Sequence, residues 1–519
     1  MTSEPEAPES LSRPVFAALL IAATAIAAFQ VRSFWAYAQD DAFITFAYAR
    51  HWIETGRALY RPDETVIGYS NPLWMAISAA MYAALGADRI LVAMRAVSFL
   101  ALVSLCVTTP LAARRLGARR VAQAACVLLP ALTTAFALHV NSGLETVLET
   151  ALVSFAAWRL LPDDEGRIDA LSGLLALALA AIARFDGMFP FALGLTYVAW
   201  NGWRRKDMRS AVAILAALAI YGVYVDATFA AYGIWTPNTV VAKMSAAYPA
   251  SVRLAEGVRY LHGADQALGL RFLVSGFLLL LWYRRDLAVL FCAALAALFL
   301  AKSVAVGGDA MMGFRFVAPA LPVMFALAAA GFSNLWVNHP KVGAVGVVVL
   351  TAACVVSLQW IAPAQPEAVT QVKKARFNAE LVAGYIDIAR AFEPFCREGD
   401  ELATDVAGTF AFFTNCRVLD TWGLNSAEIA RRGRAPDGVR FTSFGVVAPE
   451  VALERKARYI LPYPPVPMPR AWPREKALAS VFPAPFYVNR REMAEYDLVA
   501  VKTPRGVFSF FQRRQIPES

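Results

Sequence analysis

Residues 39–74 read QDDAFITFAYARHWIETGRALYRPDETVIGYSNPLW. Two adjacent carboxylates, Asp40 and Asp41, open a helical stretch; a polar loop follows, and Asn71-Pro72 closes the segment. The plain reading is helix capping, with one aspartate at the N-cap and the next at N1, where both favour the helix dipole. Two features add to it. The pair directly follows a hydrophobic span at 14–31, so it lies at a bilayer surface, where acidic groups are costly to place and mark a task. The stretch is also amphipathic: Ala42, Phe46, Ala49 and Ile53 share one face, while Thr45 and Tyr48 lie on the Asp41 side. A carboxylate held above lipid head groups can serve as general base toward a hydroxyl within hydrogen-bond reach.

The rest of the chain supports the membrane setting. Of its 519 residues 58% are hydrophobic, and the mean hydropathy is +0.48, beyond the range of soluble domains. The net charge of +9 does not point to nucleic acid. Much of the basic excess lies in short clusters between apolar spans: Arg114, Arg115, Arg119 and Arg120; Arg204, Arg205, Lys206 and Arg209; Arg284 and Arg285. This is the positive-inside pattern. Glu4, Glu6 and Glu9 replace a basic n-region, so the first span is expected to remain uncleaved.

About eleven crossings are expected: 14–31, 89–111, 121–138, 146–161, 169–183, 187–202, 211–230, 268–283, 287–305, 316–336 and 342–362. With the N-terminus cytoplasmic, every strong basic cluster falls inside. The loops at 32–88, 139–145, 231–267 and 306–315 then face outward, as does everything after 363. Segment 72–87 reads as a helix along the outer interface. The chain thus divides into a transmembrane domain, 1–362, carrying the outer loop 32–88, and an extracytoplasmic domain, 363–519. In the latter a helix at 367–392 precedes strand-like runs at 401–406, 416–419, 458–461, 486–488 and 496–501, with a small-residue turn at Ala407-Gly408; the alternation suggests an α/β fold.

The outward loops hold the unusual polar groups. They are Asn141, Ser142, Gly143 and Glu145; Arg184 to Gly187; YGIWTPNTVVAK at 232–243; and GGDAMMGFRF at 307–316. Each has a structural alternative: Pro237-Asn238 as a turn, Gly307-Gly308 as a flexible exit, Arg184 and Asp186 as a mutual pair. Lys243 and Arg315 suit neutralising a phosphate. Cys106, Cys126, Cys292 and Cys354 read as small hydrophobes. Cys396 and Cys416 form a disulfide if their domain is extracytoplasmic, and otherwise stay as thiols.

DDAFITFAYAR followed by GYSNPLW resembles the first outer loop of GT-C-fold glycosyltransferases, integral membrane enzymes that use polyprenyl-phosphate-linked sugars. The resemblance is nearest to the branch of the mycobacterial terminal arabinofuranosyltransferase and related bacterial proteins. SGLET at Ser142–Thr146, RFDG at Arg184–Gly187, the PNT and AK elements up to Lys243, GGD and RF up to Pro319, TDVAG at Thr404–Gly408 and LDTWGLN at Leu419–Asn425 agree with it. Related sequences often have Arg-Pro-Glu-Gly where this chain has Arg184-Phe185-Asp186-Gly187. The resemblance implies a bacterial inner-membrane enzyme that transfers a pentosyl or hexosyl unit to a hydroxyl of a cell-envelope glycan, lipid or protein. It implies Asp40 as catalytic carboxylate with Asp41 as its partner, and Arg50, Tyr69, Asn71, Glu145, Arg184, Asn238, Lys243, Asp309 and Arg315 as substrate-binding residues. A divalent cation is used by some of these enzymes and not by others, and no complete ligand set is visible here. The rival readings are a flippase or transporter of lipid-linked sugars, disfavoured by polar groups that cluster in loops rather than mid-span, and a non-catalytic glycan-binding scaffold.

Overall fold

The computed structural model describes residues 10–360, 366–397, 399–481 and 483–515. In chain order the helices are α1 (Arg13–Ser33), α2 (Asp40–Thr55), α3 (Pro72–Leu85), α4 (Ile90–Arg115), α5 (Arg120–Leu132), α6 (Thr134–Ser142), α7 (Thr146–Leu160), α8 (Ala170–Ala183), α9 (Met188–Arg205), α10 (Met208–Tyr232), α11 (Asn238–Ser245), α12 (Ala250–Leu268), α13 (Leu270–Tyr283), α14 (Leu287–Ala305), α15 (Leu321–Asn338), α16 (Pro340–Leu358) and α17 (Pro366–Phe392). Then come β1 (Glu401–Thr404), α18 (Ala407–Phe413), β2 (Arg417–Asp420), α19 (Ala427–Arg432), α20 (Pro449–Glu454), β3 (Tyr459–Ile460), α21 (Arg474–Ala479), α22 (Ala484–Val488), β4 (Tyr496–Thr503) and β5 (Gly506–Arg513). The protein is a mainly helical, polytopic membrane protein with a C-terminal sheet domain.

All eleven expected crossings coincide with helices, the last as far as Leu358; residues 361–362 of that crossing lie outside the described residues. Among the described residues, five are long and apolar enough to cross a membrane singly, and seven if two bent pairs each count as one span. Part of the difference from eleven is one of length, while α9 has 18 residues but carries Arg204 and Arg205 in its last turn. Helices α7 and α8 have 15 and 14 residues, and at 1.5 Å per residue they rise only ~22 Å. The bent pairs are α5 with α6, at 44°, and α12 with α13, at 90°. The second bend falls on Gly269, whose φ of +65° is the left-handed conformation glycine adopts readily. The segment 231–267, expected as an outward loop, thus contains the 19-residue helix α12.

Two compact units emerge, and neither is continuous in sequence. One comprises 1–37, 93–227 and 251–376; the other comprises 38–92, 228–250 and 377–519. In the first, α13 and α15 pack so closely that a Cβ on Gly331 would stand 1.8 Å from the Gly276 carbonyl oxygen. Close backbone approach of this kind is the usual device for helices packing where burial in water cannot drive association.

In the second unit the sheet order is β2-β1-β3-β5-β4. Strand β1 is parallel to β2 and β3, and the β4–β5 hairpin closes antiparallel on β3. Three local expectations change. Ala407-Gly408 opens helix α18 rather than a turn, the 486–488 run belongs to α22 rather than a strand, and β5 inserts between β3 and β4, leaving β4 at the edge. The disulfide Cys396–Cys416, with a Cα–Cα separation of 4.9 Å, ties the segment before β1 to the start of β2.

Candidate active site

The candidate residues fall into both units. Asp40, Asp41, Arg50, Tyr69, Asn71, Asn238 and Lys243 belong to the second, and Glu145, Arg184, Asp309 and Arg315 to the first.

In the second unit, α2 begins one residue earlier than capping by Asp40 would require. Gln39 is the N-cap, with no side-chain cap bond, and Asp40 and Asp41 occupy the first turn. Their charges still complement the helix dipole. The Asp40 carboxylate instead caps a different helix. Oδ2 accepts the Gly408 N–H at 2.9 Å; Oδ1 accepts the Thr409 N–H at 2.8 Å and the Thr409 hydroxyl. These are the free N–H groups of the first turn of α18, satisfied from 368 residues away in sequence. At the far end of α18, Arg50 donates to the carbonyls of Phe412 at 2.7 Å and Thr414 at 3.3 Å. A carboxylate thus sits at the N-terminus of α18 and a guanidinium at its C-terminus, both signs as the dipole prefers. Arg50, expected to hold substrate, is engaged in this clamp. Gly408 is demanded by the contact: a Cβ there would lie 1.9 Å from the Asp40 carbonyl oxygen.

The loop after α2 is set by tyrosines. Tyr60 donates to the Ala407 carbonyl at 2.6 Å. The Tyr48 hydroxyl donates to the Val66 carbonyl and accepts the Gly68 N–H, both at 2.8 Å. Tyr69 and Tyr232 place their hydroxyls 3.1 Å apart. Asn71 accepts from the Thr45 hydroxyl at 3.2 Å. Asn238 joins two motifs: its N–H donates to the Ile67 carbonyl at 2.7 Å, and its side-chain amide to the carbonyls of Gly423 at 2.8 Å and Leu424 at 3.1 Å. Lys243, on α11, is exposed.

Carboxyl groups dominate this region electrostatically. Burial pushes Asp40 up to about 6, against the opposing pull of the Thr409 and Gly408 donors. Asp420, which accepts from Trp422 N–H, Asn425 N–H and the Asn425 amide, each at 2.9 Å, is likewise raised to about 6 by burial. Asp405 is raised well above the carboxylate range by burial and by the charges of Asp40 and Asp420. No cation is among the main influences on these three groups. Asp405 and Asp420 lie inside motifs quoted above and Thr409 directly follows one, but nothing in the local sequence distinguishes them as partners of Asp40.

The first unit arranges charge differently. Arg184 pairs with Asp186 at 2.7 Å, Glu145 at 3.0 Å and Glu149 at 3.4 Å, and Lys302 pairs with Asp186. Arg315 pairs with Asp309 at 2.7 Å. The Phe316 ring lies among three cations: Lys302 Nζ at 4.3 Å, Arg184 Cζ at 5.2 Å and Arg315 Cζ at 5.4 Å from its centroid. Such contacts strengthen when desolvated. His139 meets the Gly313 carbonyl at 3.0 Å and fixes the turn before Arg315. Lys302 was hidden from sequence reading by the apolar run around it. Among the described residues no group of three or more histidine, cysteine, aspartate or glutamate side chains is arranged to hold a metal ion.

Comparison with known proteins gives two kinds of likeness. A family model described as "Domain of unknown function (DUF8728)" matches residues 371–511. No curated protein matches the chain in sequence. Among solved structures, ArnT from Cupriavidus metallidurans bound to undecaprenyl phosphate superposes with a TM-score of 0.58 at 12% identity, over 96% of this chain and 98% of that one. The archaeal oligosaccharyltransferase AglB from Archaeoglobus fulgidus, in complex with an inhibitory peptide and a dolichol-phosphate, gives 0.53 at 10% identity, over 97% and 75%. At such identities the likeness is one of fold: nearly the whole chain is similar to the GT-C architecture of these proteins.

Proposed function

We propose that this protein is a membrane glycosyltransferase that takes a sugar from a polyprenyl-phosphate donor and places it on a hydroxyl of a cell-envelope glycan, lipid or protein, at the outer face of a bacterial inner membrane. The observation that carries the reading is a carboxylate pair opening α2 in a chain whose fold, over 96% of its length, is like that of ArnT bound to undecaprenyl phosphate. The mycobacterial arabinofuranosyltransferase branch is the proposed neighbourhood within that fold, on the motifs alone.

The chemistry follows from lone pairs. Asp40 Oδ1 accepts two bonds, whereas Oδ2 accepts one, from Gly408. A carboxylate oxygen has two acceptor positions, so Oδ2 retains one for an incoming hydroxyl. Asp40 takes the proton as the acceptor oxygen attacks the anomeric carbon; the bond from that carbon to the phosphate oxygen breaks, and the lipid phosphate departs with the electron pair. A base titrating near 6 is ionised at neutral pH yet basic enough to accept a proton. Lys243, in the same unit, is the proposed partner of the phosphate charge, as electrostatic stabilisation of a leaving group requires.

One observation favours a second assignment of roles. Three donors converge on Asp40, which is how a purely structural clasp is built, and the base would then be Asp41. Incubating purified protein in detergent with a panel of polyprenyl-phosphate sugars tests the function; no release of free lipid phosphate from any donor sinks it. Asp40→Asn and Asp41→Asn, compared for turnover and melting temperature, separate the two assignments.

A further inference from the structure

A cavity of about 890 Å³ opens in the first unit where α4 and α7 end and α8 and α10 begin. Arg115, Arg159, Arg167, Arg205 and Arg209 line it against three aspartates, leaving a surplus of two positive charges. The surplus is not neutralised within the fold. Arg159 pairs with Asp169, and Arg167 with Asp163 and Glu165. Arg115 instead donates to the neutral carbonyls of Trp158 and Leu161, both at 2.7 Å, and Arg205 donates to that of Gly166. Among the described residues the Arg209 guanidinium has no ion-pair partner.

The remaining lining is apolar and open. Leu171 on α8, and Met208 and Val212 on α10, are 45%, 76% and 62% exposed. Helix α10 is one of the five long enough to cross a membrane. A ligand here therefore meets guanidinium groups and, beside them over the first turn and a half of α10, bare hydrocarbon on a membrane helix. A soluble anion would satisfy the first feature and leave the second exposed.

We infer that this cavity is a binding site for an anionic phospholipid, with its phosphate among Arg115, Arg205 and Arg209 and an acyl chain along Leu171, Met208 and Val212. Basic pockets between membrane helices recognise anionic head groups in this way, on the side to which arginine-rich loops are directed. The site shares no residue with the proposed catalytic machinery and stands whether or not the protein transfers sugars.

The test uses the full chain in detergent, with native mass spectrometry of bound lipid at equal additions of phosphatidylglycerol and phosphatidylcholine of the same acyl chains. Retention of phosphatidylglycerol is expected to exceed that of phosphatidylcholine severalfold, and Arg205→Gln/Arg209→Gln to remove that preference. Arg209→Gln alone, which breaks no ion pair within the fold, is expected to lower it about fivefold, the weight of one interfacial arginine, with an unchanged melting temperature. That single variant decides the question if the double variant does not fold. Equal retention of both lipids overturns the inference, as does wild-type preference in the single variant. Displacement of phosphatidylglycerol by millimolar glycerol phosphate also overturns it, in favour of a soluble anion.

Discussion

The two compact units handle buried carboxylates in opposite ways. Around Phe316, Glu145, Glu149, Asp186 and Asp309 are each matched to Arg184, Lys302 or Arg315. Around α18, Asp40 and Asp420 are held by backbone N–H, hydroxyl and amide donors, with no ion-pair partner among the described residues. Against the upward push of burial, the Arg184 and Lys302 cations hold the Asp186 carboxyl well below the usual carboxylate range. A carboxylate held by neutral donors in a buried place stays close to titrating. The first arrangement is suited to presenting fixed charge to an anion, and the second to moving a proton.

Four experiments break or sharpen that contrast. The largest effect is expected at Asp40. Asp40→Asn should lower turnover by about a thousandfold or more, the scale of losing a general base, measured as lipid-phosphate release. The amide must also turn an N–H₂ toward the Gly408 or Thr409 N–H, so a fall in melting temperature is expected too. A fall in melting temperature with near-normal turnover would leave Asp40 as a clasp. In the other unit, Arg184→Gln leaves Glu145, Glu149 and Asp186 short of a partner and should cost about 3–5 kcal/mol in stability, read by thermal unfolding. A loss below 1 kcal/mol would mean that the carboxylates there do not depend on the guanidinium.

Next comes the disulfide. With a sequence separation of 20 between Cys396 and Cys416, reduction should cost about 3 kcal/mol, read by unfolding with and without reductant. The fourth experiment follows pH. Asp40 and Asp420 shift from 3.8 when unfolded to about 6 when folded. The folded unit then binds more protons, so its stability falls as pH rises from about 4 to about 6, and Asp405, raised well above the carboxylate range by burial, carries the fall beyond that. Turnover, which needs Asp40 ionised, should move oppositely and rise with an apparent midpoint near pH 6. Parallel stability and activity profiles would contradict the assignment.

Much of this was legible in the chain. Hydropathy located every one of the eleven helical segments, and the Asp40–Trp74 stretch, read with its later motifs, pointed to the fold that the structural neighbours share. What escaped depends on contacts made through space. Ala407-Gly408 reads as a turn because the group that caps α18 is an aspartate in another part of the sequence. Arg50 stands among the expected substrate-binding residues because its acceptors, Phe412 and Thr414, are equally remote. Lys302 looks like a stray charge in an apolar run until Asp186 folds against it. Strand β5 was missed for a local reason: Pro504-Arg505 carries none of the Asn-Gly or Asp-Gly chemistry that announces a tight hairpin.

The 368-residue reach between Asp40 and Gly408 also sets a timetable. At the usual pace of synthesis, roughly 5–20 residues per second, Asp40 leaves the ribosome about 20 to 70 seconds before its partner exists. Throughout that interval α2 lacks the helix against which its buried aromatic face packs. The second unit cannot mature during elongation as the first segments of the other can; it assembles at the end, from pieces made early, midway and last. Truncation anywhere upstream of residue 408 would therefore leave the opening loop without its partner, and the nascent chain has reason to be shielded there until translation is almost over.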